Sequence, residues 1–391
     1  RRRVFVWGLS LFTVATTVIG LSGSIQTVIA LRFIQGIGGA MINASSLAMV
    51  VSAFPPEQRG RALGISTAAV YSGISTGPVI GGILVMSLGW RSIFLTVIPL
   101  GLTSLILTLT KIKEEQPTSA SDSFDFRGSL LYGVSIIFLT VSVSSLGEYQ
   151  WAWLGLGAGI LGMVSFLVLQ SRTEHPILNI NLLRQNRVFT FSSLAALINY
   201  ASTFGLTFFM SLYLQYVRGL NARQAGLILV TQPVVQTLLS PLGGRLADRY
   251  PASHIATLGM ALCGAGLWTA SGLGEETTLP MIYAVLIFLG LGFAFFSSPN
   301  TSIIMGSVEK RYLGVASGMT GTMRTLGMTI SMLTITVTFS ALMNHQPVSA
   351  NTLPLFLKSM QMDLRIFGTL CLLGIGCSMM RMNRSSSDGK L

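Results

Sequence analysis

The chain has 391 residues, 51% hydrophobic and 10% charged, with a mean hydropathy of +0.67. A soluble domain carries roughly 25% charged residues to cover its surface, so this composition fits a chain whose outer surface meets lipid and excludes a soluble enzyme. The net charge of +12 is no nucleic-acid signature, because the basic residues stand between apolar runs rather than in one patch.

A bilayer-crossing helix needs about 20 mostly apolar residues. That template predicts twelve spans, at 4–22, 27–50, 63–86, 92–110, 130–147, 152–170, 189–216, 223–245, 254–273, 281–305, 313–341 and 363–381. Interior glycines and prolines, costly in a soluble helix, are normal in a membrane one. Of the 25 Lys and Arg, 18 fall on one set of alternate connections and 5 (Arg91, Arg218, Arg223, Lys358, Arg365) on the other. Under the positive-inside rule both ends of the chain are then cytoplasmic, in the plasma (inner) membrane. Two basic residues remain, Arg32 and Arg324, both within spans, while all 13 Asp and Glu are expected in connections or at span edges. Intramembrane charge is costly, which makes the two arginines candidates for function.

Cys263, Cys371 and Cys377 lie in apolar stretches without C-x-x-C spacing, so neither a disulfide framework nor a metal site is expected. The chain opens with Arg1, Arg2 and Arg3 rather than Met, and no small-residue cleavage site follows. We therefore expect a fragment that has lost its N-terminus.

An internal repeat supports this. At an offset of 250, Arg61, Leu63, Gly64 and Gly77 fall on Arg311, Leu313, Gly314 and Gly327; at 254, Gly36, Gly38 and Ala40 fall on Gly290, Gly292 and Ala294. The second and third spans thus pair with the tenth and eleventh, as in a duplicated transporter. The expected organisation is an N-terminal bundle lacking its first two helices (1–110), a linker with an inserted helix pair (111–187) and a C-terminal six-helix bundle (188–391). The intact protein would have fourteen spans.

Residues 73–82 read Gly-Ile-Ser-Thr-Gly-Pro-Val-Ile-Gly-Gly. Gly73, Gly77 and Gly81 share one helix face, where a neighbouring backbone can approach, and Pro78 removes a backbone bond. The embedded G-x-S-x-G fails as a nucleophile elbow because it sits in mid-helix, and the three histidines lie in connections or at a span end. Gly157 to Gly162 matches G-x-G-x-x-G without the strand a dinucleotide site requires.

On these residues the sequence resembles the major facilitator superfamily, in its fourteen-span drug:proton antiporter branch. The decapeptide, with Gly73, Gly77, Pro78, Gly81 and Gly82, is similar to the family's antiporter motif. Leu31 to Ala40 resembles its R-x-x-q-G-x-g-g motif, which implies a coupling role for Arg32. Gly244-Arg245-Leu246-Ala247-Asp248-Arg249 resembles the cytoplasmic gating motif, with Pro251 departing from the usual continuation. Arg1 to Arg3 resembles the tail of that motif's other copy.

Physically, Asp248 with Arg245 or Arg249 can form an ion-pair latch, or it can meet a neighbouring helix terminus. Arg32 lies about 7 Å inside its span and could reach the interface; Arg324 lies about 16 Å inside, close to the midplane, beyond such rescue. Gln35, Asn43, Asn199, Gln232, Gln236 and Asn300 are costly in lipid unless they face the interior, either as interhelical hydrogen bonds or as cavity lining with Arg324.

The expected fold class is all-α, a polytopic helical membrane protein of major facilitator type with twelve spans of fourteen. The expected function is proton-coupled efflux of drugs or small amphipathic molecules by a monomer. Its partners are the small-molecule substrate, protons and the lipid bilayer, with no cofactor and no nucleic acid. Export of a neutral or anionic metabolite (sugar, organic acid, siderophore) stays open, since two buried arginines favour it. A polytopic membrane enzyme or receptor lacks a catalytic constellation here. Proton coupling needs a titratable group that alternates between the two sides, and with no acid deep in a span it is expected in the helices before residue 1.

Overall fold

The computed structural model describes residues 1–112, 125–146, 149–173, 176–178, 180–343, 346, 348–349 and 351–380, apart from the side chains of residues 78, 79, 144, 181, 182 and 311. Most of the predicted linker, His175, His345 and the Pro78 side chain lie outside them. Within them the chain forms α1 (Arg2–Leu21), α2 (Ile25–Ala53), α3 (Arg59–Leu88), α4 (Arg91–Lys111), α5 (Phe126–Ser145), α6 (Trp151–Gln170), α7 (Ile180–Gln185), α8 (Arg187–Leu212), α9 (Ala222–Leu229), α10 (Thr231–Arg249), α11 (Ala252–Ala270), α12 (Leu279–Gly306), α13 (Leu313–Met343) and α14 (Leu353–Met380).

Among the described residues, eleven helical segments are long and apolar enough to cross a membrane. The ninth predicted span is present as α11, which is not among the eleven and lies against α12 and α14. Large apolar side chains such as Trp7, Phe33, Met86 and Leu154 stand exposed, as a lipid-facing surface requires.

Local chemistry sets the boundaries. Gly89, at φ +80°, ends α3 in the left-handed region that favours glycine. Asn186 caps α8 by accepting the Phe189 amide at 2.9 Å and donates to the Ser307 carbonyl at 2.6 Å, tying the start of α8 to the end of α12. The predicted span at 223–245 is divided into α9 and α10. Pro233 accounts for the break, because it has no N–H for the Leu229 carbonyl and its ring crowds that oxygen.

Two glycines of the sequence repeat, Gly38 and Gly292, both sit at close helix contacts. A Cβ on Gly38 of α2 would sit 2.8 Å from the Gly8 carbonyl of α1, and one on Gly292 of α12 would sit 3.0 Å from the Gly259 carbonyl of α11. Each pair thus meets backbone to backbone at matching places, which only a missing side chain permits. The α5–α6 hairpin is closed by Gln170, which donates to Asp125 at 2.6 Å, and it leans on α13 through a 2.7 Å bond between Tyr132 and Thr322. The largest buried cluster joins α8, α11, α12, α13 and α14, with Phe209, Met210, Tyr213, Met260, Phe356 and Phe367 at its centre.

Candidate functional site

Two groups of helices meet chiefly where α3 lies along α10. Glycine makes this contact close: a Cβ on Gly60 or Gly244 would collide with the carbonyl of the other, and one on Gly64 would sit 2.6 Å from the Ser240 carbonyl. Into this junction α10 extends Asp248. Its Oδ1 accepts the Gly60 amide at 2.7 Å and its Oδ2 the Arg61 amide at 2.8 Å. The first amides of a helix have no partner within it and carry the positive end of its dipole, so a two-oxygen anion there is a strong cap.

Of the two roles considered for Asp248, the structure therefore provides the helix terminus rather than an ion pair; Arg245 and Arg249 stand exposed on the same helix. From α12, Ser298 donates to the Gly60 carbonyl at 3.2 Å, and Ser317 of α13 donates to the Asn43 carbonyl of α2, also at 3.2 Å. Arg1 donates to the Lys310 carbonyl, just before α13. The two groups are thus fastened at one end.

About 16 to 20 Å along each helix from that end, at 1.5 Å per residue, four elements bring together Tyr71 (α3), Tyr200 (α8), Phe293 (α12) and Arg324 (α13). Phe293 packs edge-on against both tyrosines, with ring centroids 5.5 Å from Tyr71 and 5.8 Å from Tyr200. Ser297 lies beside the Tyr200 hydroxyl, and the positive charge of Arg324 acts on both phenols. Arg324 is exposed, and among the described residues no acidic side chain pairs with it. The three rings carried no charge or polarity signal that would single them out in the sequence; only their assembly around Arg324 does so.

The other predicted residues are dispersed. Arg32 donates to Gln35 at 3.1 Å and lies 5.0 Å over the Phe94 ring, while Gln35 reaches across to Thr16 of α1 at 2.7 Å. Asn43 bonds the Gly39 carbonyl of its own helix. Asn199 and Asn300 are buried and serve helix contacts, Asn199 toward the Met260 sulfur at 3.6 Å and Asn300 toward the Ser192 carbonyl at 3.0 Å. Gln236 is buried within α10, and Gln232 is half-buried next to Gly290, whose Cβ would touch its carbonyl. Among the described residues, nothing lies close to Gly73, Gly77, Gly81 or Gly82, whereas a close neighbour is expected of an antiporter motif.

One expectation is corrected. The last helix begins at Leu353 rather than at 363, which places Asp363 inside it instead of at a span edge. The Asp363 side chain is 0% exposed and accepts a 2.7 Å hydrogen bond from Thr338 of α13. The signal was legible: Leu353, Phe356, Leu357, Met360, Leu364 and Phe367 repeat at helical spacing straight through the acid. Lys358 and Arg365 masked it by lowering the hydropathy of the same stretch. Among the described residues no group of His, Cys, Asp and Glu could hold a metal.

Comparison with known proteins agrees with this architecture. The chain is 27% identical over 390 residues to the riboflavin transporter RibZ of Clostridioides difficile (strain 630), covering 99% of this chain and 84% of that protein. It is 29% identical over 322 residues to the tetracenomycin C resistance and export protein of Streptomyces glaucescens, covering 81% and 60%. It is 31% identical over 335 residues to the multidrug resistance protein Stp of Mycobacterium tuberculosis, covering 84% and 62%. The chain thus spans about 60% of the length of the last two. The crystal structure of the human organic anion transporter MFSD10 (TETRAN) shares the fold, with a TM-score of 0.67 at 16% identity over 97% of this chain and 77% of that one. Residues 1–332 match the family model described as Major Facilitator Superfamily. The chain belongs to the Major Facilitator Superfamily, whose members are membrane transporters rather than enzymes.

Proposed function

We propose that the protein exports small, flat amphipathic molecules by proton-coupled antiport, and that Tyr71, Tyr200, Phe293 and Arg324 form the substrate seat. One observation carries this: a guanidinium without an acidic partner among the described residues acts on Tyr71 and Tyr200, which both pack on Phe293 at mid-depth, between two helix groups fastened at one end. Aromatic faces hold planar ligands, and a positive group fixes an electron-rich or anionic edge. Relatives named for riboflavin transport, tetracenomycin C export and multidrug resistance support the class of cargo. In this reading Asp248 is the latch of the cytoplasmic side, and the chain works as a monomer with both ends cytoplasmic in the inner membrane.

The bundles would be 1–110 and 188–391, with 111–187 as an inserted pair. Gly327 of α13 is covered by α8, whereas Gly77, its repeat counterpart on α3, faces open space. A helix covering Gly77 as α8 covers Gly327 would complete the first bundle in a fourteen-span protein.

Arg324 also favours a second reading, export of an anionic metabolite. Competition in liposomes containing the complete protein separates the two. Inhibition by planar lipophilic compounds, cationic and neutral ones included, is expected for drug efflux. Inhibition by organic anions alone would replace that reading with the second, and substrate flux indifferent to a pH gradient would refute proton coupling.

A further inference from the structure

Neither the Asp248 cap nor the Arg324 cluster uses the carboxyl of Asp363. Among the described residues, its Oδ1 accepts from Thr338 while Oδ2 has no partner, and neither have the hydroxyls of Ser331 and Ser359, both 0% exposed. These groups line the seam between α8, α13 and α14: a Cβ on Gly205 of α8 would touch Ser331 at 2.9 Å and the Phe367 ring at 2.6 Å. Phe209 of α8, Phe339 of α13 and Phe356 of α14 pack together across the same three helices. Phe209 and Phe339 are 5.8 Å apart, Phe339 and Phe356 6.2 Å, and Phe209 and Phe356 6.4 Å.

Among the described residues, no cation on the elements packed against α14 pairs with Asp363. The π turn Tyr213–Val217 contributes Tyr213, whose hydroxyl is given to the Gly274 carbonyl, and α11 contributes Cys263. On α8 the titratable group nearest to Gly205 along the helix is Tyr200. Arg324 on α13 lies 14 residues from Thr338, about 21 Å along the helix. On α14 itself Cys371 is buried two turns away, while Lys358 and Arg365 stand on the exposed face. An isolated carboxylate in such surroundings costs several kcal/mol.

We propose that Asp363 is a proton-binding site within the carboxyl-terminal bundle. It is protonated while the Phe209, Phe339 and Phe356 cover is closed and ionised when the seam takes up water. The proton passes between Oδ2 and a water molecule, giving carboxylate and hydronium, and no other bond changes. This deepens the proton-coupled reading and rests on it. It also supplies a physical link: α13 carries both Thr338 and Arg324, so protonation of the acid and occupation of the substrate seat bias one helix.

Difference infrared spectroscopy of the protein in lipid, titrated from acid to alkaline pH, reads the site directly. The expected result is a protonated-carboxyl C=O band that is absent in Asp363→Asn and moves to higher frequency in Thr338→Val, where the carbonyl loses its hydrogen bond. In liposomes, Asp363→Asn in the complete protein is expected to lose pH-gradient-driven flux at least tenfold yet keep substrate exchange without a gradient. A band unchanged by Asp363→Asn, full gradient-driven flux in that variant, or a sodium ion replacing the proton would each overturn the proposal. If Asp363→Asn fails to fold, an unshifted band in Thr338→Val overturns it alone. If the unmodified protein shows no gradient-driven flux, proton-coupled transport fails as a function, while the infrared band still decides whether Asp363 binds a proton.

Discussion

Asp248 and Gly60 lie 188 residues apart on different helix groups, yet the carboxylate of one accepts the amide of the other at 2.7 Å, beside a backbone contact that leaves no room for a methyl group on Gly60 or Gly244. An anion, a helix terminus and a steric fit thus act at one point. The cap can release without unfolding either helix, because it is made to the end of α3 and not within it.

Removing the charge should loosen this end. Asp248→Asn keeps an acceptor but loses the charge interaction with the helix dipole, worth about 1 kcal/mol. We expect a roughly fivefold to tenfold shift in the ratio of closed to open conformers. Spin labels placed on α3 and α10 next to the junction would report it as a population at longer distance.

Glycines of the same repeat position should respond in opposite ways. A Cβ on Gly327 would meet the Leu197 carbonyl at 2.6 Å and the Tyr200 Cβ at 2.8 Å, whereas one on Gly77 meets nothing within 4 Å. Gly327→Ala is expected to destabilise the 391-residue chain by roughly 1–3 kcal/mol, and Gly77→Ala to be neutral or slightly stabilising, since Ala favours helix by about 1 kcal/mol over Gly. Thermal unfolding in detergent measures both. Destabilisation by Gly77→Ala confined to a longer version of the protein would reveal a helix that covers this face there.

At the substrate seat, the planar fork of Arg324 and its charge make separate contributions. Arg324→Gln is expected to weaken binding of a planar anionic or phenolic ligand at least tenfold, and Arg324→Lys less, because charge survives without the fork. Tyr71→Ala should weaken it roughly fivefold through the lost ring face, about 1 kcal/mol. Ligand quenching of intrinsic fluorescence would measure all three, and equal affinity in every variant would remove the cluster from the binding site.

Thiol labelling checks the orientation of α14. Cys263 and Cys371 are buried and Cys377 is partly exposed. A small membrane-permeant maleimide should modify Cys377 at least tenfold faster than the other two, since reaction requires access to the sulfur. Equal rates would mean that α14 is turned differently about its axis.

Composition and apolar run length alone determined that this chain is a set of membrane helices, because lipid tolerates only segments that satisfy their own backbone hydrogen bonds. Glycine spacing announced the repeat for a similar reason: Gly38 and Gly292 can be nothing larger where backbones touch. Tertiary structure decided the rest. Asp248 could have met an arginine or a helix terminus, and only the placement of α3 against α10 selected the terminus. Asn199 and Asn300, equally eligible as cavity lining by polarity, serve contacts between helices, while Tyr71, Tyr200 and Phe293 gather around Arg324. Asp363 escaped the hydropathy template because Lys358 and Arg365 share its stretch, and a linear average cannot tell that their side chains stand exposed while the acid faces Thr338. Hydropathy is a sum along the chain, whereas burial depends on rotation about a helix axis and on the neighbours folding brings there.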